Sequence, residues 1–111
     1  MEIDITQVDG VIIARLQGLL DEDAHGPFEE QLHPLVVERG NRVVLDLSGV
    51  PRTTSMGLGQ LVTLVVRANT KGARVVLAAS SPFVRSVLAV SKLDLFFAVE
   101  DSVAQAQHRL A

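Results

Sequence analysis

The chain has 111 residues, 48 % of them hydrophobic, enough to fill one core without help from disulfides or metal. Ten basic against thirteen acidic residues give a net charge of -3 with no block of like charge, and with no Trp or Tyr only Phe28, Phe83, Phe96 and Phe97 are aromatic; a phosphate-tracking groove and a base-stacking platform both lack material, so nucleic acid is not an expected partner. Cysteine is absent, which excludes thiol redox chemistry and a disulfide framework and permits a cytoplasmic setting.

The N-terminus, MEIDITQVDG, places acidic residues among apolar ones from the second position and lacks the basic start and apolar stretch of a secretory signal. Ile3 and Ile5 alternate with polar residues, and so do Val11 and Ile13 beyond Asp9-Gly10, a pattern that predicts a hairpin. In DEDAHGPFEEQLHPLVVERG, residues 21 to 40, Pro27 suits a first helical turn and Phe28, Leu32, Leu35 and Val36 share one face, with Gly40 as the stop. Pro34 removes a backbone donor inside that pattern, so a kink is expected near Gln31.

RVVLDLS, residues 42 to 48, is a β-branched run suited to a strand covered on both faces. After a loop over Gly49 to Arg52, the spacing Leu58, Leu61, Val62, Val65 predicts a helix starting at Ser55 and ending at Lys71-Gly72. Its most apolar part, Leu58 to Val66, is interrupted by Gly59, Gln60 and Thr63 and is far short of the roughly 20 residues that span a bilayer, so no membrane partner is expected. ARVVLAA, residues 73 to 79, repeats the strand character, and Ser81-Pro82 opens a short helix expected to carry Phe83, Val87, Leu88 and Val90 on its apolar face. LFFAV, residues 95 to 99, is the last strand candidate, and Asp101 and Ser102 cap a final helix through Val103, Ala106 and Leu110. The order predicts a single α/β domain over residues 1 to 111, with a mixed, mostly parallel sheet of about five strands and about four helices.

Motifs for catalysis are missing. His25, His33 and His108 are isolated from one another and from any HExxH-like spacing. The GLG at 57 to 59 lacks the third glycine of a dinucleotide fingerprint, and no Gly-Lys-Ser/Thr cradle exists. Asp21, Glu22 and Asp23 stand at a helix entrance, where the dipole favours acidic residues, and Ser55 lacks the elbow of a serine nucleophile. No enzymatic activity, metal or cofactor is therefore expected. RTTSMGLGQLV, residues 52 to 62, remains: Ser55 reads as a helix cap worth about 1 kcal/mol, yet Gly57 and Gly59 each cost a helix roughly 1 kcal/mol against alanine. Two explanations stand open for the glycines, close packing of the helix on the sheet or room for another protein's surface to reach the Ser55 backbone.

The segments ARLQGLLD (14 to 21), RVVLDLSGV (42 to 50), TTSMGLGQLV (53 to 62) and KGARVVLAASSPFVRSVLAVSKLDLFF (71 to 97) together resemble the STAS domain of bacterial anti-sigma factor antagonists, over nearly the whole chain. The resemblance implies a cytoplasmic, non-enzymatic partner-switching regulator that controls transcription through a sigma factor. It implies phosphorylation of Ser55, with Thr54 the alternative acceptor, by an anti-sigma factor that is also a serine kinase of the GHKL type, and reversal by a PP2C-type phosphatase. The implied partner-binding residues are Asp21, Thr53, Thr54, Ser55, Met56, Gly57 and Ser81. In this chain Thr54 stands where the family has an aspartate, and Met56 where it has a second hydroxyl residue. Two other roles known for such domains are a scaffold subunit of a stress-signalling assembly and a transporter-associated protein.

Overall fold

A two-residue loop, Asp9-Gly10, turns β1 (Glu2–Val8) back onto β2 (Val11–Gln17) in antiparallel register. Both loop residues have positive φ, 51° and 79°, which a tight primed hairpin turn requires and an Asp-Gly pair tolerates. The structure, a computed structural model, describes all of residues 1–111. From β2 the chain passes through α1 (residues 22–36), β3 (Arg42–Gly49), α2 (Ser55–Lys71), β4 (Arg74–Ala78), α3 (Pro82–Val90), β5 (Val99–Glu100) and α4 (Val103–Leu110). The five strands lie in the order β1-β2-β3-β4-β5, and every pairing after the hairpin is parallel.

Alternation along the strands feeds two layers. Val43, Leu45 and Leu47 of β3 and Val75 and Leu77 of β4 point to the face covered by α1, α2 and α3. Val44, Val76 and Ala78 point to the other face, which Ala106 and Leu110 of α4 cover. β3 is buried from Val43 to Leu47, as its apolar run predicts for a central strand. Gly72, with φ 82°, ends α2 in the left-handed conformation that a side chain disfavours. No helix is long and apolar enough to cross a membrane.

One local expectation is met near Gln31 and two need adjustment. The kink in α1 takes the form of a widened π turn over Phe28–Leu32, in which the His33 amide bonds to the Phe28 carbonyl; Pro34 has no N–H to continue the ladder, so the break is accommodated one turn earlier. In α3 the buried pair is Val84 and Leu88, while Phe83 and Val90 face outward, 42 % and 86 % exposed. The Ser81 cap sets this phase: its hydroxyl accepts from the Val84 amide, which turns Val84 inward and its neighbour outward. Of LFFAV only Val99 belongs to a strand. Lys92 adopts a left-handed conformation, Leu93–Leu95 form a 3-10 turn, and the amides of Phe96 and Phe97 both return to the Leu93 carbonyl, leaving only Val99–Glu100 to pair with β4.

Two buried ionisable groups tie stability to pH. His33 packs between α1 and α2, with Nδ1 2.8 Å from Arg67 and Nε2 3.6 Å from Glu29. Desolvation lowers its pKa, the nearby Arg67 and His25 push the same way, and Glu29 opposes them without prevailing. Burial would raise the pKa of Asp46, but the Ser48 amide at 3.0 Å and Arg15 at 3.3 Å stabilise the carboxylate, and the net shift is downward. In both cases the unfolded chain binds a proton more readily than the folded one, so stability rises with pH. The His33 contribution is complete above the ordinary imidazole value, about 6.5, and is lost as pH falls from there through its lowered folded value; that of Asp46 follows in stronger acid. Urea titrations between neutrality and about pH 5 should show falling stability. His33→Gln, which keeps an acceptor for Arg67, should flatten that fall, and an equally steep fall in the variant would exclude His33 as its source.

Candidate functional site

Three hydroxyl residues follow one another where the loop after β3 enters α2, and the fold treats them differently. The loop is pinned to the segment after β2: the Leu20 amide donates to the Arg52 carbonyl at 3.1 Å, and the Thr54 amide donates to the Leu20 carbonyl at 3.0 Å. The Thr53 hydroxyl also donates to the Leu20 carbonyl, at 3.0 Å, and Leu20 and Thr53 form a parallel bridge. This clamp holds Thr54 extended, with φ -98° and ψ 170°, so that its Oγ1 accepts from the Gly57 amide at 3.1 Å. Thr54 is therefore the N-cap and Ser55 the first helical residue, which puts the cap one position earlier than the expected Ser55. The pinned bridge at Thr53 fixes where helical geometry can begin.

Ser55 is exposed, and its hydroxyl makes no hydrogen bond to the protein, in contrast to those of Thr53 and Thr54. Met56 beside it is 66 % exposed. The two glycines separate. A Cβ on Gly57 would run into the Leu20 carbonyl and come within 2.9 Å of the Asp21 amide, whereas one on Gly59 would meet nothing within 4 Å. Gly57 is thus explained by close packing, and Gly59 by nothing inside the molecule.

Asp21 lies alongside this junction, half-buried. Its backbone carbonyl accepts from Gln60 Nε2 of α2 at 2.6 Å, and its carboxylate accepts from the Asp23 amide at 3.0 Å at the start of α1. Ser81 caps α3, and its hydroxyl donates to the Val50 carbonyl at 2.8 Å, tying the start of α3 to the same loop that leads to Ser55. The structure therefore brings Asp21, Thr53, Thr54, Ser55, Met56, Gly57 and Ser81 to one end of the sheet, beyond the carboxyl ends of the parallel strands, where open α/β folds bind their ligands.

Sequence reasoning passed over three neighbours. Leu19, 55 % exposed, Arg52 and Phe83 line a cavity of about 260 Å³ together with Leu20, Asp21, Thr53 and Thr54. The Arg52 guanidinium carbon lies 5.3 Å from the centre of the Phe83 ring, a cation–π arrangement. The signal that would have found Phe83 was the pair Val84 and Leu88 at i, i+4 behind the Ser81 cap, which leaves the residue before Val84 outside.

Known proteins share both sequence and fold with this chain. Residues 2–106 match the STAS domain family. The chain is 29 % identical over 102 residues to BtrV of Bordetella bronchiseptica, named as an anti-sigma factor antagonist, an alignment covering 92 % of this chain and 88 % of the relative. A Thermotoga maritima crystal structure described as an anti-sigma factor antagonist superposes with a TM-score of 0.86 at 23 % identity, covering 97 % of this chain and 93 % of that one. The phosphorylated form of the Bacillus cell-fate determinant SpoIIAA superposes with a TM-score of 0.70 at 18 % identity, covering 99 % of this chain and all of the other, 100 %. At these identities the two structures speak for the fold alone.

Proposed function

Because the chain belongs to the STAS domain family, we propose that it is an anti-sigma factor antagonist whose partner switching is controlled at Ser55. With Ser55 bare it binds an anti-sigma factor serine kinase of the GHKL type in the cytoplasm; phosphorylated by that kinase it lets go, and a PP2C-type phosphatase restores the binding form. It performs no chemistry itself and needs no cofactor. The observation that carries this reading is the state of the three hydroxyls: those of Thr53 and Thr54 are engaged with Leu20 and Gly57, and Ser55 alone offers an exposed, unengaged oxygen. Thr54 would have to leave the Gly57 amide to act as the acceptor. The bare Gly59 on the same face supports the reading further, since an exposed glycine that weakens its helix without relieving any clash leaves space for a close approach from outside. The names of the relatives agree with it.

The test is to incubate the protein with a GHKL serine kinase from the same genome and ATP, and to locate phosphate by intact and peptide mass analysis. Phosphate on Ser55, absent in Ser55→Ala, is expected. Phosphate confined to other residues would remove the switch from this position.

A further inference from the structure

Resting on that reading of the Ser55 face, we infer that the groove between Leu19 and Phe83 takes an apolar side chain of the partner while Arg52 takes a carboxylate beside it. The partner segment is thus an apolar residue adjacent to an acidic one. Three observations support this occupant. Leu19 and Phe83 are half exposed although each directly precedes a fully buried residue, Leu20 and Val84 respectively, and adjoining exposed apolar groups mark contact surfaces rather than solvent faces. The cavity between them, about 260 Å³, is of side-chain size and not of drug or nucleotide size. Arg52 has no ion pair and no side-chain hydrogen bond within the protein, yet it is held over the Phe83 ring, so its forked donors are oriented and free for a carboxylate. Asp21, the carboxylate that also lines the groove, is occupied by the Asp23 amide and forms no ion pair with Arg52. The groove is continuous with the switch, because Thr53 and Thr54 form its wall; a partner seated here has its next residues over Ser55.

The probe is a blocked dipeptide, acetyl-Leu-Asp-amide, titrated into the isotopically labelled 111-residue chain and followed by NMR, with acetyl-Leu-Asn-amide and acetyl-Leu-Lys-amide for comparison. Saturable shifts are expected at Leu19, Thr53 and Phe83, with the Asp peptide about threefold or more tighter than the Asn peptide, the span an exposed charge pair supports. Arg52→Gln should erase that preference, Arg52→Glu should turn it toward the Lys peptide, and Phe83→Ser should abolish the shifts while the rest of the spectrum stays folded. Absent shifts, shifts centred elsewhere, or equal affinity for the Asp and Asn peptides would overturn the inference. No kinase takes part, so the outcome is separable from that of the phosphorylation experiment. Groove binding without phosphate at Ser55 leaves the docking surface and removes the switch, and the opposite result does the reverse.

Discussion

Gly57→Ala is expected to destabilise the protein by about 3 kcal/mol or more, the upper part of the range for overpacking, because the added methyl group meets backbone rather than a movable side chain. The atom in its way is the Leu20 carbonyl, which already accepts from the Thr54 amide and the Thr53 hydroxyl. Moving that carbonyl aside would loosen the clamp that sets the helix start, so the strain cannot be relieved locally. For a chain of this size the melting temperature should fall by more than about 10 °C. Gly59→Ala is the internal control, two residues along the same helix and free of neighbours. It should gain about 0.5 to 1 kcal/mol from helix propensity and should weaken kinase binding, since the methyl group fills space left for the partner. Thermal and urea unfolding of both variants settle the matter; a Gly57→Ala protein as stable as the parent would show that the segment after β2 is not fixed where it stands.

Phosphorylation of Ser55 is expected to lower affinity for the kinase by about a hundredfold or more while changing stability by no more than about 1 kcal/mol. A phosphate on the first residue of α2 lies beside the unpaired amides of its opening turn and has a favourable dipole, so the folded state tolerates it. A partner packed on the same spot must desolvate that charge, at a penalty of several kcal/mol. Calorimetry of the complex before and after modification measures the first effect, and unfolding of the two forms the second. Because Thr54 is the cap, Ser55→Ala should keep both affinity and stability, whereas Thr54→Ala should lose about 1 kcal/mol of stability. Ser55→Glu should weaken the complex less than phosphate does, having less charge and fewer acceptor oxygens. Equal affinity of the bare and phosphorylated forms would leave Ser55 without a regulatory role.

The strand-helix alternation was legible because most elements announce themselves twice, by period and by boundary. Asp9-Gly10 closes the hairpin, Lys71-Gly72 ends α2, and β3 declares its burial by an apolar run that only Asp46 interrupts. What misled was composition without phase. Five apolar or aromatic letters at LFFAV suggest a strand, but the left-handed Lys92 turns the chain and its following amides fold back on Leu93; nothing in the five letters encodes that. At the candidate site, Ser55 was legible through its neighbours, but its relation to Thr54 was not, since either hydroxyl residue can cap a helix. The choice is made by a bridge to Leu20, 33 residues away in the chain. Periodicity has no access to a contact of that kind. The same holds for Gly57 and Gly59, alike in sequence and opposite in what they border.

The strand order also bears on how the molecule comes into being. Each strand lies beside the one made before it, so the sheet can grow from one edge as the polypeptide leaves the ribosome, without waiting for a distant segment to slot between earlier strands. Each parallel pairing spans a single helical crossover and no more, which limits the loop-closure penalty of adding the next strand. The exception is the second face. Val44 and Val76 have their apolar cover from α4, which follows all five strands in the chain, so the nascent sheet carries an oily underside until that helix has been made. Such transiently bare surface is what chaperones recognise, and the dependence on late protection therefore falls on one eight-residue helix made after the whole sheet.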